Sequence, residues 1–384
     1  MPSFKTRART VLRFLGALAT GRADDAPAID AGNWQRFGIL APGIAAGLIV
    51  VLLLAVFLLN PFGNFPQTPF SQTFAHHNQR YAYPSIARSG DYDSAVFGTS
   101  TSRLLPPEDL DRAFGGRFAA LSMDASSAWE QTQLTRLFLR AVPHPRTLLL
   151  SLDPEVWCAP DADTRRVTFR LFPQSFYDDD RLNDVSDLLN LELPEVLRRS
   201  LRMASGGQEP YFRPDGFGDF TQGEGAYDAE RARRALHGGA PPQTTPAALP
   251  RADDASIAPR PQDRFPALVW LEETLALVPR ETRTILVSMP VHVVAQARVG
   301  TELAAQRTEC ARRILALGRA AEAFVLDMGF ASPLTVEDTN YWDRVHFRLP
   351  IGRQVIGEIA AAVDTGAETP NLRVLAMPTR AGQG

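Results

Sequence analysis

Two patterns of apolar residues divide this chain. The first is one unbroken run, Phe37 to Leu59, without a charged residue. At about 1.5 Å per residue it crosses a hydrocarbon core of roughly 30 Å as a single transmembrane helix. It is too long, and starts too late, for a simple cleaved signal peptide. Pro42 and Gly43 bend its first turns, which a membrane helix tolerates. Asn60-Pro61-Phe62-Gly63 ends it, and no second such run follows.

The second pattern begins near residue 90. Short apolar runs alternate with stretches whose apolar residues recur at helical spacing. Ser94–Phe97, Arg117–Met123, Arg146–Asp153, Arg283–Pro290 and Ala323–Met328 read as strands. Ala128–Val142, Phe265–Val278, Thr301–Glu322 and Leu349–Val363 read as helices. The alternation predicts an α/β class: a parallel five-stranded sheet covered on both faces, a three-layer α/β/α arrangement behind one transmembrane helix. The expected organisation is a cytoplasmic segment over 1–36, the span over 37–59, a stalk over 60–89, the α/β domain over 90–365 and a disordered tail over 366–384. An insertion, about 158–262, separates the third and fourth strands. It predicts a helix over Val185–Ala204, then a Gly-, Pro- and Ala-rich stretch, Ser205–Gln262, that reads as a long loop or lid.

Charge adds direction. The formal net charge of -3 gives no basic character for nucleic acid. Six basic residues precede the apolar run, and the next one after it is Arg80. The positive-inside rule puts the N-terminus in the cytoplasm and the C-terminal domain outside it, in the periplasm of an inner-membrane protein. Two cysteines, Cys158 and Cys310, are too few for a disulfide framework. They either form one bridge in an oxidising compartment or stay apart, with Cys310 packed in its helix. His76-His77 has no third ligand in view and reads as a solvated pair, and Asp178-Asp179-Asp180 reads as a solvated turn. No metal or cofactor is expected.

The candidate chemistry lies at two strand ends. Ser94-Ala-Val-Phe-Gly-Thr-Ser-Thr-Ser-Arg103 is a buried strand running into a turn of small hydroxyl residues. Ser100 there is either a nucleophile or part of an ordinary helix cap. After the fifth strand comes Asp343-Arg344-Val345-His346. Either that spacing lets a carboxylate reach the imidazole in a helical turn or compact loop, giving Ser100 a base and the base an orienting acceptor, or Asp343 caps a helix start and His346 is exposed.

Together these segments resemble the SGNH/GDSL hydrolase superfamily. Gly98-Thr99-Ser100 is similar to its first block, and Asp343-x-x-His346 to its last, over roughly residues 90–365. Membrane-anchored members acting on cell-envelope polymers are the most alike, the teichoic-acid D-alanylation and alginate O-acetylation proteins among them. The resemblance implies an SGNH/flavodoxin-like fold and a serine esterase or O-acyltransferase working without metal through an acyl-serine intermediate. Catalytic roles fall on Ser100, Asp343 and His346. Partners would be an envelope polysaccharide or other acylated polymer and a membrane-bound acyl donor protein.

The sequence departs from the family in two places. Ser122–Ser127 has no Gly where the second block supplies an oxyanion N–H, so Ala125 or Ser126 would serve. Asp153 stands where the third block supplies an Asn donor; an ionised Asp cannot donate, and losing one donor typically costs on the order of 10²–10³ in rate. Arg103 is a substitute donor or a surface ion-pair partner. Trp157 and Trp342 offer aromatic faces for sugar rings or pack loop on sheet. His292 lies near the active edge as a pocket residue. The alternative is a non-catalytic SGNH-like envelope-assembly or polymer-binding protein.

Overall fold

The computed structural model describes residues 31–379 apart from Gln222 and residues 240–246. Most of the expected cytoplasmic segment and the last residues of the tail lie outside the described residues. The chain divides into two compact units at Phe57/Leu58. Among the described residues, the helices of eight residues or more are α1 (Ala31–Leu59), α2 (Gln79–Arg88), α3 (Pro107–Phe114), α4 (Ala128–Ala141), α5 (Leu193–Ala204), α6 (Ala229–His237), α7 (Ala267–Leu275), α8 (Glu302–Ala320) and α9 (Leu349–Thr365). Arg36–Leu59 of α1 is long and apolar enough to cross a membrane.

The second unit is an α/β fold on one six-stranded sheet, ordered β2-β1-β3-β4-β5-β6. Here β1 is Ser94–Gly98, β2 Phe118–Ser122, β3 Thr147–Ser151, β4 Arg283–Ser288, β5 Phe324–Asp327 and β6 Arg373–Ala376. The first five are mutually parallel. β6 pairs antiparallel with β5, so the sheet has six strands, not five, and the expected disordered tail supplies the sixth.

The strands are apolar on both faces because both are packed. Val96, Leu149, Ile285 and Phe324 lie in register across β1, β3, β4 and β5. They share a core with Leu110 and Phe114 of α3 and Val355, Ile356 and Ile359 of α9. The alternate row points the other way. There Phe97 meets Phe138 of α4 at 5.8 Å, and a Cβ on Gly318 of α8 would press on Val325 and Leu286. Parallel strands bring the segments after β1, β2, β3 and β5 to one edge of the sheet.

Residues 60–89 are no stalk. Phe62, Phe74, Tyr81 and Tyr83 are buried, and α2 packs on α4. The reason lies in Arg80, which is fully buried. Its guanidinium grips the equally buried Glu130 carboxylate in bidentate fashion, at 3.1 and 2.7 Å. A polar side chain whose partner lies 50 residues away carries no local sign of burial.

The insertion is more structured than its composition implies. The helix expected over Val185–Ala204 is two helices, Val185–Leu188 and α5, the latter opening with Pro194 in its first turn. Within the expected loop, α6 is capped by the Asp228 side chain and stopped by Gly238 at φ 63°. Phe212, Phe217 and Leu236 are buried. Cys158 and Cys310 are joined, which ties the start of the insertion to α8.

Candidate active site

The turn after β1 is built by close packing. Gly98 sits where three segments converge: a Cβ there would overlap the Ser102 hydroxyl and lie 2.6 Å from Ser151 Cβ. Ser102 in turn bonds to Ser122 Oγ at the end of β2, at 2.9 Å. Residues 100–102 then make one 3₁₀ turn, capped by the Thr99 side chain. This leaves Ser100 half-buried at the C-terminal edge of the sheet.

Opposite it, Tyr341–Phe347 forms a tight loop. Tyr341 and Phe347 bridge antiparallel, and Trp342 N–H donates to the His346 carbonyl at 2.8 Å. Inside the loop, Asp343 Oδ1 accepts from the N–H groups of Val345 and His346, at 2.9 and 3.0 Å. Its other oxygen, Oδ2, lies 2.7 Å from His346 Nδ1. An ionised carboxylate only accepts, so Nδ1 carries the ring proton and Nε2 presents its lone pair. Ser100 Oγ lies 2.8 Å from that Nε2. Burial raises the Asp343 carboxyl, but the His346 ring and the two N–H groups outweigh it and hold it below its usual value. The three residues singled out from sequence therefore meet as one hydrogen-bonded chain.

Asp153 follows β3 and is buried against the same turn. It accepts from Thr99 Oγ1 and, at 2.8 Å, from Thr101 Oγ1, so it clamps both neighbours of Ser100. Burial pushes its carboxyl above the usual range despite these bonds. A raised carboxyl costs stability once pH exceeds the unfolded value of about 4. Asp153→Asn should therefore unfold at higher temperature than the parent at pH 7. That gain should disappear as pH falls below about 4, where both forms are neutral.

Ala125 lies in the turn after β2, and its φ is 46°. That left-handed conformation is one L-residues avoid. Arg80 holds it, reaching the Asp124 and Ala125 carbonyls at 3.2 and 3.4 Å while paired with Glu130. Among the described residues, none accepts from the backbone N–H of Ser100, Ala125 or Ser126. The Ser126 hydroxyl is used structurally, on the Gly98 and Met123 carbonyls. Relieving left-handed strain is worth about 1–2 kcal/mol, and extra unfolded-chain freedom returns about 0.4–1 kcal/mol. Ala125→Gly should stabilise by up to about 1 kcal/mol, read as a raised thermal midpoint.

The insertion reaches the site through the stretch Ser205–Gln262 that reads as a loop or lid. Phe220 sets its ring edge-on to His346, with centroids 5.1 Å apart. Arg103 stacks on Phe220 at 4.5 Å and donates to the Gly218 carbonyl at 3.2 Å, so it faces the insertion rather than an acidic surface partner. Glu224 binds Arg348 at 2.9 Å, and Tyr227 packs edge-on to Trp342 at 5.2 Å. Trp342 thus stands beside Asp343 in an aromatic pair. Trp157 does not line the site: it is buried, and its indole N–H donates to Gln131 at 3.2 Å.

His292 is also no pocket residue. It is buried, its backbone N–H donates to the Arg344 carbonyl at 3.1 Å, and its ring Nε2 meets Asp338 at 3.1 Å. Burial lowers its pKa. His237 of α6 meets the same carboxylate at 2.9 Å. These contacts prop the loop that carries Asp343 and His346.

His76 is buried, contrary to the expected solvated pair, and a third potential ligand exists. Groups of His76, His77 and Glu192 come within 4.8 Å of one another. However, His76 Nδ1 accepts the Asn78 N–H at 3.1 Å. The neutral ring then carries its proton on Nε2 and gives it to Glu192 at 2.6 Å, so that atom has no lone pair for a metal. Compared with models of known families and with curated proteins, the chain matches none.

Proposed function

We propose that this chain is a membrane-anchored serine esterase or O-acyltransferase whose extracytoplasmic domain, a three-layer SGNH-like α/β/α fold, acts on an acylated envelope carbohydrate. The observation that carries it is the Ser100–His346–Asp343 chain of hydrogen bonds, 2.8 and 2.7 Å long.

The chemistry follows from the geometry. Ser100 Oγ attacks the acyl carbonyl carbon while His346 Nε2 takes its proton. Asp343 steadies the imidazolium that forms. The tetrahedral oxyanion is met by the N–H groups of Ser100, Ala125 and Ser126. Collapse expels the alcohol oxygen, which takes the proton from His346, and leaves acyl-Ser100. Water or a second hydroxyl then attacks the acyl carbon, with His346 again as base, and Ser100 is regenerated. Hydrolysis and transfer differ only in this second nucleophile.

The carbohydrate and a membrane-bound acyl donor protein follow from the resemblance; Phe220, Tyr227 and Trp342 supply aromatic surface beside the triad. The extracytoplasmic placement in the inner membrane follows from the basic residues before the span and from the Cys158–Cys310 bond, which persists in oxidising compartments. The second reading, a polymer-binding protein without turnover, is favoured by Asp153, whose oxygens are occupied by Thr99 and Thr101 and not offered to an oxyanion.

An active-serine phosphonate separates the two. The detergent-solubilised full chain should label stoichiometrically at Ser100, and His346→Ala should abolish the labelling. A folded chain that takes no label at Ser100 rules out an activated serine and leaves polymer binding.

A further inference from the structure

The domain carries large apolar side chains in water, and they are not evenly spread. Phe70 is 62% exposed, Leu171 51%, Leu182 87%, Leu189 41% and Leu191 100%. Single exposed leucines need no explanation, but a group of them marks a surface that something covers.

All five belong to segments that meet one stretch of chain. The Leu171 carbonyl accepts from Asn78 Nδ2 at 2.8 Å. Arg181, next to Leu182, donates to the Asn64 carbonyl at 3.4 Å. Asn190, between Leu189 and Leu191, reaches Tyr81 Oη at 3.4 Å. Phe70 lies within 60–81 itself. The first half of the insertion is therefore laid on residues 60–81, which come directly after the apolar helix. That segment grips the helix end: Thr68 Oγ1 donates to the Leu58 carbonyl and Gln72 N–H to the Leu59 carbonyl, each at 2.6 Å. The apolar side chains therefore belong to segments packed on the chain that follows the helix end.

We propose that this face of the insertion, centred on Leu182 and Leu191, rests in the interfacial layer of the bilayer that α1 crosses. The proposal depends on α1 being a span. Apolar side chains at an interface bury roughly 5–10 Å into the headgroup and acyl boundary. Residues 165–202 hold seven arginines and seven acidic residues, so the contact is apolar, without preference for anionic lipid and insensitive to salt. It holds the catalytic domain against the membrane at two places, the span and the insertion.

The test uses the full chain in phosphatidylcholine nanodiscs. Both native cysteines are bonded, so a nitroxide placed by Leu182→Cys, Leu191→Cys, Leu277→Cys or Val51→Cys reports one site each. Collision with oxygen, enriched in lipid, is compared with collision with a water-soluble nickel chelate. Positions 182 and 191 should favour oxygen, as Val51 in the span does, while the exposed Leu277 favours nickel. Nickel-favouring signals at 182 and 191, with Val51 still in lipid, overturn the proposal and leave the span intact. Poor access of both agents at 182 and 191 overturns it in favour of a second copy or another protein. A water-like Val51 overturns both readings.

Discussion

Ser100→Ala should lose turnover of a chromogenic acetyl ester by on the order of 10⁶-fold, the loss seen when the nucleophile of a serine triad is removed. Its thermal unfolding should match the parent. The hydroxyl bonds to His346 Nε2 alone among the described residues, so the substitution removes one exposed-edge contact and opens no cavity in the core. The turn around it persists, because Gly98 packing, the Thr99 cap and the Asp153 clamp do not involve that hydroxyl. Equal folding with lost turnover and lost phosphonate labelling assigns the chemistry to one atom. Turnover that survives at the parental rate removes Ser100 from the mechanism.

Asp343→Asn should slow the same reaction by about 10⁴-fold, with a lowered thermal midpoint at pH 7 because the folded state favours the ionised carboxylate. The Asn oxygen can still accept from Val345 and His346 N–H, so the loop keeps its shape. Its amide, turned toward His346, donates where the carboxylate accepted. The ring proton then moves to Nε2 and faces Ser100, and the base has no lone pair for the serine proton. Raising the pH cannot restore activity, since the fault lies in the tautomer. A variant within tenfold of the parent at pH 7–9 would show that Asp343 orients nothing.

The parts of this molecule legible in its sequence are those whose signal is local. Strands buried on both faces have apolar interiors, and Ser94–Gly98 and Thr147–Ser151 read accordingly, with Ser or Thr only at their ends. Asp343 and His346 were legible because a three-residue spacing closes a loop on itself. What escaped depends on distant partners. Arg80 and Glu130 look like surface charges until they are placed against each other. The cysteines looked separable because the helical setting of Cys310 says nothing of a neighbour 152 residues away. β6 is four residues on the sheet edge after a Pro-containing turn, too short to show a period. By contrast, α6 carried a readable signature, Asp228 before it and Gly238 after it, hidden only by the Gly/Pro-rich composition around it.

The disulfide also has consequences for how the chain is made. Two cysteines allow only one pairing within a molecule, so an oxidant suffices and there is nothing for intramolecular reshuffling to correct. The partners are nevertheless synthesised far apart. At about 5–20 residues per second, Cys158 exists for about 8–30 s before Cys310 is added. Any bond it forms in that interval is with another molecule, and must be exchanged before the insertion can be tied to α8.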